Sequence, residues 1–193
     1  TVFAGKSLNL LNGGTNDGTL DNAGTVAVNG GILTLNKDIS GKGKLVLGKA
    51  AGLKLTQANT TIANSVESAA EIDIAKGKTL TVQNDFVNNG TFKNNGVFIA
   101  EKLANGKLLY NNAVMKTKSM ELAAGSKMYL GVSSVTETGN YAADNTELVL
   151  DMLVNGKDKK IQNGLLKISG NVSGTTNVIV NALSTDVFSG AST

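Results

Sequence analysis

The chain has no cysteine, no histidine, no tryptophan and no proline, and all 18 of its basic residues are lysine. Each absence removes a class of function. Without cysteine there is neither a disulfide framework nor a thiolate metal site, although that alone does not assign a compartment. Without histidine the commonest general base and metal ligand is missing, and a Ser-His-Asp triad cannot be assembled. Arginine is absent too, and the charges nearly cancel at +3 despite a pI near 9.0. Lysines alternate with acids along the whole length instead of clustering, so no nucleic-acid partner is expected. No run approaches the roughly 18 apolar residues of a membrane-spanning helix. The chain opens on Thr1-Val2-Phe3 in mid-pattern, without a charged and apolar leader, and is expected to be a piece of a longer polypeptide or a processed product.

Hydrophobic residues make up 41% of the chain but aromatics only 4%, and there are 23 glycines. A core built from these must be thin and layered, drawn from Leu, Val, Ile and Ala. Triplets with apolar flanks recur as Leu8-Asn9-Leu10, Val26-Ala27-Val28, Leu33-Thr34-Leu35, Leu45-Val46-Leu47, Leu53-Lys54-Leu55, Ile72-Asp73-Ile74 and Leu80-Thr81-Val82. In a strand, alternate side chains point to opposite faces, so each triplet buries its flanks and turns its centre to water. Glycine-rich bends at Asn29-Gly30-Gly31, Gly41-Lys42-Gly43, Asn89-Gly90, Asn95-Gly96 and Asn105-Gly106 separate the triplets and are read as positive-φ corners.

The phrase AGKSLNLLNGGTNDGTLDNAGTVAVNG, shifted by 72 positions, superimposes on AKGKTLTVQNDFVNNGTFKNNGVFIA. Gly5, Lys6, Leu8, Asn22 and Gly24 fall on Gly77, Lys78, Leu80, Asn94 and Gly96. Hairpins in a sandwich would use the same bends, but a sandwich does not ordinarily repeat its own sequence. The expected fold is therefore all-β, a right-handed parallel β-helix of three-stranded coils with a C-terminal hairpin-like capping segment. Coils of roughly 20 to 24 residues make the offset three coils and the chain roughly nine. Asn and Thr are expected to stack in ladders along the rod. The stretch QANTTIANSVESAA (57–70) alternates weakly and is read as an irregular coil or a loop leaving the rod.

The segment ANTTIANSVESAAEIDIAKGKTLTVQNDFVNNGTFKNNG resembles the passenger regions of bacterial autotransporters. A second match, GNYAADNTELVLDMLVNGKDKKIQNGLLKISGNVSGTTNVIVNA, is similar to the pertactin-like passenger end that precedes the outer-membrane barrel. The acidic residue usual before its last-but-one strand is replaced by Gly164-Leu165. The resemblance implies a β-helix on the cell surface or outer membrane of a Gram-negative bacterium, or secreted, anchored through a C-terminal β-barrel outside this chain. It implies residues 1–125 as β-helix coils and 126–193 as a C-terminal segment with autochaperone-like character, continuous with the same solenoid. The folding and capping candidates are Tyr141, Leu148, Leu150, Leu166, Ile168, Val178 and Val180, and the C-terminal third is expected to be the most stable part.

Catalytic, cofactor and metal sites are all expected to be absent. Ser126 and Lys127 are adjacent and so point to opposite strand faces. Glu71 and Asp73 share a face at about 6.8 Å, near the separation of an inverting glycosidase pair, but it is the face opposite Ile72 and Ile74 and therefore solvated. GGTNDGTLD (13–21) has calcium-loop composition in the wrong order and is read as a corner. The cluster Lys157-Asp158-Lys159-Lys160 reads as a solvated bend. The expected function is non-catalytic, that of a passenger fragment of an adhesin. Its partners would be a host-cell or bacterial surface protein or glycan, with self-association as a further mode. The alternatives are a carbohydrate-active β-helix enzyme and a fragment of a secreted autotransporter toxin.

Overall fold

Alternation of apolar and polar residues commits the chain to strands, and the bends between them are short enough that each strand stacks on the one a full turn earlier. The computed structural model describes residues 1–155 and 160–184. They form a right-handed parallel β-helix of about 7 turns, all strand and bend.

Three sheets make the sides of the rod. In the first, the inward column runs Leu8, Val26, Leu45, Val66, Phe86, Leu103, Met120, Tyr141 and Val172. The second carries Ile72, Phe92, Leu109, Met128, Leu148 and Val178 in register. The third carries Thr60, Leu80, Phe98, Met115, Thr136 and Leu166. All pairings in these columns are parallel, and the buried apolar residues among them belong to one continuous core.

The coils are shorter than the sequence suggests. A turn measured down the first column ranges from 17 residues (Phe86 to Leu103) to 21 (Met120 to Tyr141), and only the last, Tyr141 to Val172, reaches 31. The economy comes from strands that run around a corner. Thr25–Leu35 and Thr79–Asn88 each serve two sheets, bending at register shifts after Val28 and Val82. A bulge turns the chain with one or two residues where a separate loop would need more.

This also corrects the meaning of the 72-residue repeat. Leu8 lies in the first sheet, but Leu80 stacks between Thr60 and Phe98 in the third. The repeated unit is a strand with its bend, and 72 residues is not a whole number of coils. Residues 57–70, read as irregular, fold as the strands Asn59–Ile62 and Ser65–Ser68. Thr60, Ile62, Asn64, Val66, Ser68 and Ala70 are all buried. The alternation is complete there, and half of its inward residues are merely polar.

Phe86, Phe92 and Phe98, one from each sheet, meet on the axis with ring centroids 4.7–5.1 Å apart and no exposed surface. Such tilted and edge-on contacts add to the stabilisation from area buried.

Near the C-terminus, Val135–Asn155 turns back on Lys160–Asn163 in an antiparallel pairing, Met152 opposite Asn163. Leu165–Ile168 and Val172–Ser184 then resume parallel stacking. Most of the charged cluster at 157–160 lies outside the described residues, as do residues 185–193 of the C-terminal segment. Of the capping candidates, Tyr141 and Leu148 are buried, and Leu150, Leu166 and Ile168 pack half-buried against the core. Val178 and Val180 are 53% and 55% exposed. They occupy inward columns, and no described residue lies beyond them.

Candidate functional site

The most organised polar chemistry lies inside the rod. Where a strand ends in an inward asparagine, the amide closes the bend and joins it to the next coil. Asn94 Oδ1 accepts the Gly96 N–H at 3.2 Å, while Asn94 Nδ2 donates to Asn111 Oδ1 and to the Val114 carbonyl, both at 2.8 Å. Asn111 repeats the motif, accepting from the Ala113 N–H and donating to Thr136 Oγ1 and the Val135 carbonyl. A second ladder joins Asn88 to Asn105 at 2.7 Å, and a third joins Asn22 to Asn64 at 3.0 Å. These asparagines are at most 1% exposed. A buried amide is costly only when unpaired, and here each finds partners on a neighbouring coil, all but Asn64 also within its own bend.

The glycine two residues after Asn22, Asn88 and Asn94 is needed for close approach. An added Cβ on Gly90 or Gly96 would stand 2.2 Å from the carbonyl oxygen of Ala70 or Lys78 on the preceding coil. Neither has positive φ. Gly31 and Gly41 do, at 69° and 89°, so the positive-φ reading of the bends holds for those two and fails for Gly90, Gly96 and Gly106.

Outside, charges pair between coils. Glu71 and Asp73 are exposed on the outer face of the second sheet, as expected from their strand parity. Glu71 binds Lys93, and Asp73 accepts from Asn95 Nδ2 at 2.8 Å, whose own Oδ1 accepts from Asn112. The hydrogen bond and charge of Glu71 hold the Lys93 ammonium above its ordinary pKa, and Glu147 does the same for Lys127. Glu137 lies between Lys116 and Lys167, at 3.2 and 3.3 Å, and its pKa is lowered, chiefly through hydrogen bonds to these two lysines and secondarily by their charge. On the outer face of the second sheet Tyr110 and Tyr129 stack in parallel, centroids 4.5 Å apart and planes within 9°.

Among the described residues no group of three acidic residues is placed to hold a metal ion. Ser126 is buried with its hydroxyl unpaired, while Lys127 points outward to Glu147, so the two do not meet. The corner 13–21 forms two short strands, with Asp17 bonded to Asn36 and Asp21 to Ser40. Shallow grooves of about 500 and 460 Å³ follow the corner between the first and second sheets, bordered by Lys49, Glu71, Asn89 and Lys107, then by Asn89, Glu121 and Asp144.

The sequence anticipated ladders but not which asparagine joins them. The signal was strand parity: counting two residues on from Phe86 and Phe92 gives Asn88 and Asn94 inside, and leaves Asn89 and Asn95 outside. The Phe86-Phe92-Phe98 cluster and the tyrosine stack required the registers.

The fold defines a β-solenoid. Comparison with protein-family models, with curated proteins and with solved structures gives no match to the chain.

Proposed function

We propose that this rod is a non-catalytic, surface-exposed passenger segment of an autotransporter adhesin, anchored through a C-terminal β-barrel encoded beyond this chain. The observation that carries the reading is the passenger-like stretch from Gly139 to Val180, whose matched strands stack as coils on the same solenoid. Glu71 and Asp73, the nearest approach to a glycosidase pair, are committed to Lys93 and Asn95, which favours adhesion over the carbohydrate-active alternative.

The contact face we assign is the outer side of the second sheet. Tyr110 and Tyr129 stand there half-buried, beside Lys93 and Lys127. Rigid aromatic groups with neighbouring charges are the usual anchors of protein and glycan recognition. The partner is a host-cell or bacterial surface protein or glycan.

Binding of the labelled chain to host cells and to bacteria, compared with a Tyr110→Ala/Tyr129→Ala variant, tests this. We expect binding that falls at least about tenfold in the variant. Undiminished binding in the variant would remove the assigned face, and no binding to either cell type would overturn the adhesin reading. An open reading frame without a downstream barrel would overturn the anchoring.

A further inference from the structure

Asn-Gly dipeptides at 89–90, 95–96 and 105–106 lie at corners of the central coils. Asparagine followed by glycine is the sequence most prone to spontaneous deamidation, because glycine puts no side chain in the way of its own nitrogen. That nitrogen, once a solvent base has taken its proton, attacks Cγ of the asparagine and closes a succinimide ring. The bond from Cγ to the side-chain nitrogen breaks, and ammonia leaves with a proton from solvent. Water then opens the ring at either carbonyl, giving aspartate or isoaspartate. The reaction needs a free glycine N–H and an asparagine side chain able to turn toward it.

The corners differ in what they leave free. At Asn95-Gly96 both groups are held. The Gly96 N–H donates to Asn94 Oδ1 at 3.2 Å, while Asn95 Nδ2 donates to Asp73 and Asn95 Oδ1 accepts from Asn112, each at 2.8 Å. At Asn105-Gly106 both are held in the interior. The Gly106 N–H donates to the Asn88 carbonyl at 2.7 Å, Asn105 Oδ1 accepts from Asn88 Nδ2 at 2.7 Å, and Asn105 is 1% exposed. At Asn89-Gly90 the nucleophile alone is held, its N–H donating to Asn88 Oδ1 at 3.2 Å. Asn89 is exposed, and among the described residues its side-chain amide has no hydrogen-bond partner.

We propose that the inward asparagines guard the chain chemically: Asn88 and Asn94 withhold the glycine N–H groups and keep Asn95 and Asn105 as amides, while Asn89, held on one side alone, is the corner residue that deamidates. The guard protects the stacking itself. An aspartate at 95 would set a second carboxylate within hydrogen-bond distance of Asp73, and like charges directly opposite one another on neighbouring strands repel. An isoaspartate would add a methylene to the main chain, in a corner so close that even a Cβ on Gly96 meets the Lys78 carbonyl oxygen. Asn89 instead borders the shallow groove that Lys49 and Lys107 also border, so a carboxylate there is solvated and opposite in sign to both. The proposal concerns the chain itself and does not rest on the adhesin reading.

Incubating the folded chain in mildly alkaline buffer tests it, with the deamidated fraction at each asparagine followed by peptide mass spectrometry and compared with the same chain kept unfolded in urea. In the folded chain Asn89 is expected to convert first, Asn95 about tenfold more slowly, the worth of one hydrogen bond of ordinary strength, and Asn105 last. In urea the three should convert at similar rates. Asn94→Ala should raise the rate at Asn95 by the same factor. Phe92→Ala, which weakens the same coil but leaves the Asn94 amide in place, should raise it less. Circular dichroism establishes that each variant is folded; if Asn94→Ala is not, the order of the three sites in the wild type remains the test. Asn95 or Asn105 converting ahead of Asn89, a folded chain that keeps the rates seen in urea, or a Phe92→Ala variant that deamidates at Asn95 as fast as Asn94→Ala would each overturn the proposal.

Discussion

The coils from residue 86 to 111 and the coil from 172 to 184 carry similar strand patterns and meet opposite fates. In the central coils Phe86, Phe92 and Phe98 have no exposed surface, and Asn88, Asn94, Asn105 and Asn111 bond from coil to coil. In the last coil Val178 and Val180 take inward positions as Leu80 and Val82 do, but both valines are more than half exposed. Among the described residues, the central coils have a neighbour on both sides and the last strand has one on a single side. In a solenoid the stabilising unit is the interface between adjacent coils, so burial belongs to position along the rod as much as to the residue.

The sharpest way to break this comparison is to bury the same charge in both places. Leu80→Asp should unfold the central coils, since an unpaired buried carboxylate costs several kcal/mol or must take up a proton. Val180→Asp, at a 55% exposed position, should be tolerated, as should Thr81→Asp on the outward face. Equal losses in denaturant unfolding at positions 80 and 180 would show that the end coil is covered.

Truncation gives a somewhat smaller effect. Phe92→Ala should cost about 3–5 kcal/mol, because the ring touches both other phenylalanines, whereas Val178→Ala should cost less than about 1 kcal/mol. Urea midpoints that fail to separate these two variants would count against the central cluster as the strongest region.

Within the central coils, neighbouring asparagines should behave differently. Asn94→Ala leaves the Gly96 N–H and the Asn111 Oδ1 to find other partners, at about 1–3 kcal/mol for each buried group left unpaired. Asn95→Ala removes an exposed bond and should cost no more than about 0.5 kcal/mol. Hydrogen exchange read by segment would place both on the wider comparison. Slowest exchange in residues 80–111 is expected, against the C-terminal template that the passenger resemblance implies; slowest exchange in residues 147–180 would restore that template.

The smallest effect is on pH. Glu137 is held below its ordinary pKa by Lys116 and Lys167. Its contribution to stability is complete above the unfolded-state value and is lost as pH falls through the lower folded value. Lys93 and Lys127 are raised, so their contribution is present below the unfolded-state value and lost as pH rises through the folded one. Glu137→Gln should flatten the acid side of the stability profile slightly and leave the alkaline side unchanged. All three groups are at the surface, where salt screens them; a large acid effect would mean that other carboxylates dominate.

Much of this fold was legible because strand parity is a local property. The triplets identified inward leucines and valines correctly from Val26 to Val82, and the outward placing of Glu71 and Asp73 followed from Ile72 and Ile74. Residues 57–70 look irregular in sequence because three of their inward positions, Thr60, Asn64 and Ser68, are polar. The 72-residue offset misled for a different reason. Strand-and-bend units resemble each other whichever side of the rod they occupy, so sequence similarity records local geometry and is blind to rotation about the axis. The corner glycines show the same blindness: a need for positive φ and a need for close approach leave the same letter. No candidate site of the usual kind was legible, and the tyrosine face depends on Tyr110 and Tyr129 lying one coil apart, a distance of 19 residues that only the register supplies.

The meeting of Phe86, Phe92 and Phe98 on the axis has a mechanical and a permeation consequence. A hollow cylinder can conduct a solute through its bore, but three rings in mutual contact seal this one. Nothing travels down the inside of the rod. What it transmits from one end to the other is load, passed from coil to coil through stacked side chains and backbone bonds, and the sealed bore makes it a strut and not a conduit.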